Sequence, residues 1–144
     1  MKLVDINVLI YAIDKASPQH ERARHWLGAE LNGADVLGLP WLVLLGFVRL
    51  VTKPQVFAHP LPVETAMDLV DGWLQRENVV IPQPGSRHAT ILRGLLDDLG
   101  TGGNLVSDAH LAALAIEHGF ELCSCDADFS RFSGLRWRDP LRDR

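Results

Sequence analysis

At 144 residues and 47% hydrophobic content, the chain is sized for one globular domain, able to bury roughly 70% of the surface its unfolded form exposes. Its formal charge of −4 argues mildly against a surface that grips phosphates by bulk basicity, although local basic residues remain free to touch a nucleic acid. No apolar run approaches ~18 residues, and no charged leader and apolar stretch precede a cleavage site, so the expected protein neither spans a membrane nor is exported by a signal peptide.

Met1–Val4 reads as a brief strand ending on Asp5, followed by a helix over Ile6–Ala12 with Asn7 at its start. Asp and Asn both suit such a boundary, so Asp5 is a candidate helix cap as well as a candidate ligand. Ser17-Pro18 reads as the start of a second helix, with Pro18 near its first position and Gly33 closing it. A short strand, Val36–Leu39, ends at Pro40. Trp41–Thr52 is apolar nearly all round, apart from Gly46 and Arg49, which predicts a buried helix stopped by Lys53-Pro54. The Gln55–Pro62 loop carries Val56 and Phe57, the latter a candidate exposed aromatic.

Val63–Arg76 has Ala66, Leu69, Val70, Trp73 and Leu74 at helical spacing, an amphipathic pattern. Val79–Ile81 is strand-like, and Ser86–Leu99 gives a helix with Leu92, Leu95, Leu96 and Leu99 facing the core. The glycine-rich lead-in Gly100–Gly103 lacks the Lys-Ser/Thr ending of a phosphate loop and reaches Asn104. Ser107 then reads as the cap of a helix that places Asp108 in its first turn, where the dipole favours a carboxylate. Gly119 is positioned to stop that helix in a left-handed conformation. Phe120–Cys125 is a bounded apolar run, a buried strand followed by Asp126 and Asp128. A final strand at Leu135–Trp137 precedes a charged tail. Cys123 and Cys125 are one residue apart in that strand, too strained for a bridge, and read as reduced thiols in the cytoplasm.

Short strands alternating with helices imply a parallel sheet in an α/β fold, one domain over residues 1–144. In such sheets ligands bind beyond the carboxyl ends of strands, where Asp5 and Asp126 fall, and a helix start such as that of Asp108 reaches the same edge. Two carboxylates ~4 Å apart repel by about 4 kcal/mol at an effective dielectric near 20, so converging acids need a cation, a proton or separation. Oxygen donors without His or Cys suit Mg²⁺ or Mn²⁺ rather than zinc. The candidate catalytic residues are Asp5, Asp108, Asp126 and Asp128, with Asn7, Asn104 and Ser124 as uncharged helpers. Asp5, Asp108 and Asp126 are the candidate metal ligands. The six histidines show no metal-ligand spacing, and His110 reads as a packing or polar-edge residue.

Lys2-Leu3-Val4-Asp5-Ile6-Asn7-Val8-Leu9-Ile10-Tyr11 resembles the opening motif of PIN-domain ribonucleases. Asp108–Ala115 and Ser124-Cys125-Asp126-Ala127-Asp128-Phe129 resemble their third and fourth motifs. Order, spacing and the closing Phe129–Pro140 segment are similar to the VapC-type toxins of bacterial toxin–antitoxin pairs, over essentially the whole chain. That resemblance implies an α/β/α sandwich with a twisted parallel sheet and a Mg²⁺-dependent endoribonuclease acting on structured RNA, commonly tRNA or rRNA. It also implies a homodimer silenced by a VapB-type antitoxin in a heterotetramer or larger complex.

The chain departs from the family's second motif, which normally carries a Glu where Leu44-Leu45-Gly46-Phe47-Val48-Arg49 has Gly46. Asp128 standing in, or RNA phosphates completing the ion's shell, would compensate. A domain that binds RNA or antitoxin with little cleavage is the alternative. Trp41, Phe57 and the helix after Pro40 could form an antitoxin groove, with ordinary core the favoured reading for Trp41. A phosphatase opening with a strand and Asp-x-Asp fits less well, since Asn7 occupies the second acid's place and no well-placed Lys follows.

Overall fold

The computed structural model describes residues 1–142; Asp143 and Arg144 of the charged tail lie outside the described residues. Strand β1 (Lys2–Val4) is the centre of the sheet, with Leu3 and Val4 fully buried. Both faces are covered, so these strands read as apolar runs and not as alternating patterns. The chain moves outward one way to β2 (Leu37–Gly38) and β3 (Val79–Val80), then returns to β4 (Glu121–Cys123) and β5 (Trp137–Arg138). The five strands lie in the order β3-β2-β1-β4-β5, all parallel. The direction of winding reverses between β1 and β4, which opens a crevice at their carboxyl ends.

Six helices connect or flank the strands among the described residues: α1 (Ile6–Ile13), α2 (His20–Leu31), α3 (Trp41–Val51), α4 (Val63–Leu74), α5 (His88–Leu99) and α6 (Val106–His118). α1 packs on α2 and α3, α3 on α4, and α5 on α6. Phe47 of α3 is fully buried and meets Trp73 of α4 edge-on, with ring centroids 4.9 Å apart. Among the described residues no helix is long and apolar enough to cross a membrane.

Three of the boundaries that differ from the sequence reading do so because a turn intervenes. Before α2, Ser17 does cap, but it caps a turn: its Oγ accepts the Gln19 N–H at 3.1 Å, and the helix begins at His20. Before α6, a 3₁₀ turn (Gly103–Leu105) leads straight into Val106, so Ser107 lies inside the helix and Leu105 occupies the cap position. β5 begins two residues later than expected, at Trp137. Gly119 ends α6 at φ 75°, the left-handed conformation that favours glycine.

The aromatic assignments reverse. Trp41, expected in the core, is 42% exposed, and Phe57, expected at the surface, is buried. The loop after α3 folds back, with the Phe57 N–H bonding the Lys53 carbonyl and the Leu61 N–H the Val51 carbonyl, which carries Phe57 inward. α3 itself has one open face, on which Leu42 and Leu45 are exposed alongside Trp41.

Candidate active site

The β1–β4 register pairs Val4 with Cys123, so the next residues, Asp5 and Ser124, stand side by side as both strands end. Asp5 divides its carboxylate between two tasks. Oδ1 accepts the Ile6 N–H at 2.8 Å and caps α1, while Oδ2 accepts the Ser124 hydroxyl at 2.7 Å. Ser124 is fully buried and its hydrogen-bonding capacity is used up: it donates to Asp5 and accepts from the Asp126 N–H at 3.0 Å and from Asn7 Nδ2 at 3.1 Å. Asn7 also accepts the Cys125 N–H at 3.2 Å, which ties the start of α1 to the segment after β4. The Ser124 carbonyl accepts the Trp137 indole N–H at 3.0 Å, so β5 braces the same point.

Asp126 caps the following 3₁₀ turn (Ala127–Arg131), its Oδ1 accepting the Asp128 N–H at 2.9 Å. Asp128 is exposed and lies 3.5 Å from Arg131. Asp108 projects from the first turn of α6. Asp5 and Asp108 line one cleft of about 270 Å³ with Ile6, Leu42, Leu45 and Arg49, and Gly46 forms part of its wall. Asn104 is exposed in the 3₁₀ turn before α6 and is not a lining residue of this cleft. His110 bonds His88 at 3.0 Å, which occupies it away from the cleft; burial and the His88 ring hold its pKa below the usual value.

The acids sense one another. Burial pushes the Asp108 carboxyl up from an ordinary 3.8 to about 6, and the charges of Asp5, Asp126 and Asp128 add to the rise. Asp5 is also raised, by burial first and by Asp126, against the lowering effect of the Ser124 hydroxyl and the Ile6 N–H. Among the described residues, Asp5, Asp108 and Asp126 form no ion pair with a basic side chain. Nor do any three His, Cys, Asp or Glu side chains among them approach closely enough to form a ready ligand set for an ion. The carboxylates therefore share an electrostatic neighbourhood and not a closed coordination shell. Both cysteines are free, and burial pushes each thiol up to about 12, which keeps them protonated and unreactive.

The PIN-domain family profile matches residues 2–135. The chain belongs to the PIN-domain family. Among its relatives, Ribonuclease VapC37 of Mycobacterium tuberculosis is 50% identical over 140 residues, covering 97% of each chain. Ribonuclease VapC33 of the same organism is 45% identical over 143 residues, covering 99% of this chain and 100% of the relative. The fold matches VapBC-1 from nontypeable Haemophilus influenzae at a TM-score of 0.68 and 17% identity, over 98% of both chains. It also matches Mycobacterium tuberculosis VapC20, described as a Sarcin-Ricin loop cleaving toxin, at a TM-score of 0.66 and 16% identity, over 94% of this chain and 99% of that one.

In this PIN domain the wall at Gly46 is closed from the side. A Cβ added at Gly46 would collide with Ile6 Cδ1 and stand 3.2 Å from Ile6 Cγ1. Gly46 is thus paired with Ile6, a relation between α3 and α1 that no local pattern reveals. Alanine normally improves a helix interior by roughly 0.5–1 kcal/mol over glycine. The atom in the way is the end of the Ile6 side chain, which lines the cleft, so Gly46→Ala is expected to gain less than that and at most to cost the roughly 1–3 kcal/mol of overpacking. In an Ile6→Ala background the collision is gone and Gly46→Ala is expected to give the full helix gain. Denaturant unfolding of the four proteins in this cycle checks that the gain is larger without Ile6.

Proposed function

We propose that this PIN domain is a Mg²⁺-dependent endoribonuclease, the toxin half of a VapBC-type pair, acting in the cytoplasm on structured RNA such as tRNA or rRNA. The observation that carries the reading is a set of carboxylates at the sheet's switch point, of which Asp5, Asp108 and Asp126 form no ion pair among the described residues, Asp108 being driven to about 6. The donors there are all oxygens, which suits Mg²⁺ or Mn²⁺. Asp5, Asp108 and Asp126 would hold the ion, with Asp128 adding negative charge from the adjoining turn. Bound there, it supplies Lewis-acid stabilisation of the charge developing on a phosphodiester and eases the ionisation of water.

The chain's own groups do the positioning. The Ile6 N–H and the Ser124 hydroxyl fix Asp5 before any substrate arrives, so little reorganisation is left for the reaction. Asn7 locks Ser124 and the Cys125 backbone in register. The value of about 6 for Asp108 in the metal-free protein reflects burial and the repulsion of Asp5, Asp126 and Asp128, a repulsion that a bound cation would relieve while holding Asp108 ionised.

The names of the relatives support ribonuclease activity, and neighbours such as VapBC-1 support a VapB-type antitoxin as partner. On this reading the chain forms a homodimer, in a heterotetramer or larger assembly with that antitoxin. A second reading rests on Gly46: with Ile6 packed over it, that wall offers no side-chain donor. On that reading the domain binds RNA or antitoxin and cleaves little. Purified chain free of antitoxin, incubated with tRNA and rRNA fragments, separates the two. Cleavage that requires Mg²⁺ and is lost with EDTA and with Asp5→Asn supports the nuclease. RNA affinity with no metal-dependent cleavage supports the second reading, and cleavage untouched by EDTA and by the substitution overturns the first.

A further inference from the structure

The candidate site poses an electrostatic problem of its own. A phosphodiester must approach Asp5 and Asp108 on a protein whose formal charge is −4. Among the residues lining the cleft, Arg49 is the only basic one, and it makes no ion pair among the described residues. Its guanidinium is therefore available to a phosphate, which it can grip by paired N–H bonds.

Arg49 shares its side of α3 with two exposed apolar residues. Trp41, Leu45 and Arg49 fall at i, i+4 and i+8, one stripe along the helix. Trp41 is 42% exposed and Leu45 63%. At 1.5 Å per residue the stripe is about 12 Å long, a reach of a few nucleotides. Its Leu45 and Arg49 end opens into the acidic cleft, and its Trp41 end lies where α3 begins, beyond the carboxyl end of β2. Unpaired bases are recognised chiefly by stacking on aromatic side chains, and the phosphates between them by Arg.

We propose that this face of α3 is the strand-guiding surface of the site, with Arg49 holding a phosphate at the cleft and Trp41 stacking an unpaired base a few nucleotides away. The inference rests on the ribonuclease reading above and specifies what that site takes: single-stranded RNA, such as a loop, and not a continuous duplex. A protein segment would also cover apolar side chains and could pair Arg49 through a carboxylate, but the place of Arg49 in the lining of a cleft that must receive a phosphodiester favours the polynucleotide. The run from aromatic ring to guanidinium to acidic cleft matches a polynucleotide.

The test uses the full chain carrying Asp108→Asn, so that RNA remains intact, with Mg²⁺ present. Binding of a labelled 12-nucleotide single-stranded RNA and of a duplex of the same length is followed by fluorescence anisotropy. Trp41→Ala is expected to weaken single-strand binding about 5- to 100-fold, as loss of one stacked base does, and Trp41→Phe to restore most of it. Arg49→Gln is expected to weaken binding and to reduce the salt slope by roughly 0.7, the value of one phosphate contact on a single strand. Trp41→Ala should leave that slope unchanged. Unaltered RNA affinity in both variants overturns the proposal, as does equal affinity for the duplex. It is also overturned if Trp41→Ala spares RNA binding and instead abolishes binding of an amphipathic helical peptide, which would assign the face to a protein. None of these readings depends on cleavage, so a chain that binds as described but never cuts RNA would fail the proposed function alone.

Discussion

Asp108→Asn is expected to abolish RNA cleavage while making the metal-free protein more stable. The two effects have one cause. Asp108 is held among Asp5, Asp126 and Asp128 and partly buried, and its carboxyl titrates at about 6 instead of the ordinary 3.8. A folded-state value above the unfolded one means that the native protein binds the proton more tightly. The associated stability is present below about pH 4 and is lost as pH rises through about 6. Asparagine mimics the neutral form at every pH. Wild type and variant should therefore melt together near pH 4, and the variant should melt higher at pH 7. The side chain is only partly buried, and solvent screens part of the repulsion. The gap should accordingly be on the order of a few °C, as for about 1 kcal/mol in a domain of this size. Cleavage should be lost because the ion is deprived of one of the three carboxylates that would hold it. Melting curves without metal from pH 4 to 7, beside single-turnover cleavage, check both. A variant less stable than wild type at pH 7 would show that Asp108 has a structural partner and carries no strain.

Ser124→Ala is expected to be the most damaging small substitution near the site. The hydroxyl is fully buried and bonded to Asp5, Asn7 and the Asp126 N–H. Removing it takes a charge-assisted bond of about 1.5–3 kcal/mol from Asp5 and leaves two donors short of an acceptor. A loss of about 2–4 kcal/mol is expected in urea unfolding, far above the roughly 0.5 kcal/mol of a neutral surface change. The hydroxyl also lowers the Asp5 pKa against burial and Asp126. Without it Asp5 should protonate at higher pH, and the acid limb of the cleavage profile should move up. A stability change within the neutral range would show that Ser124 is a spacer and not the hub of the cluster.

Much of the site was legible from local chemistry. An acid after a short strand, Asn two residues on, a glycine stop and a second strand ending in acids are signals carried by neighbours in the chain. Strand β1, Asp5 at the cap of α1, Asp108 in the first turn of α6 and Gly119 at its end all follow from them. What depended on distant residues was not legible. Ile6 packing over Gly46 joins two helices 40 positions apart in number, and a lone glycine in an apolar run does not announce it. α3 is apolar nearly all round, with Arg49 its one charge, so little periodicity marks the face that Trp41 and Leu45 leave open. Phe57 is carried inward by a loop whose prolines suggested exposure. Ser124 looked like a helper, yet its role as hub arises only once β1 and β4 pair in their register.

The central claim is that carboxylates from separate segments of the chain meet around one divalent cation. Crystals of the full chain grown with Mn²⁺, measured at the manganese edge, test it most directly. The expected result is an anomalous peak bonded to carboxylate oxygens of Asp5 and Asp108, with Asp126 facing it, and loss of that peak in Asp5→Asn. Manganese bound elsewhere, or none while these three side chains point apart, would contradict it.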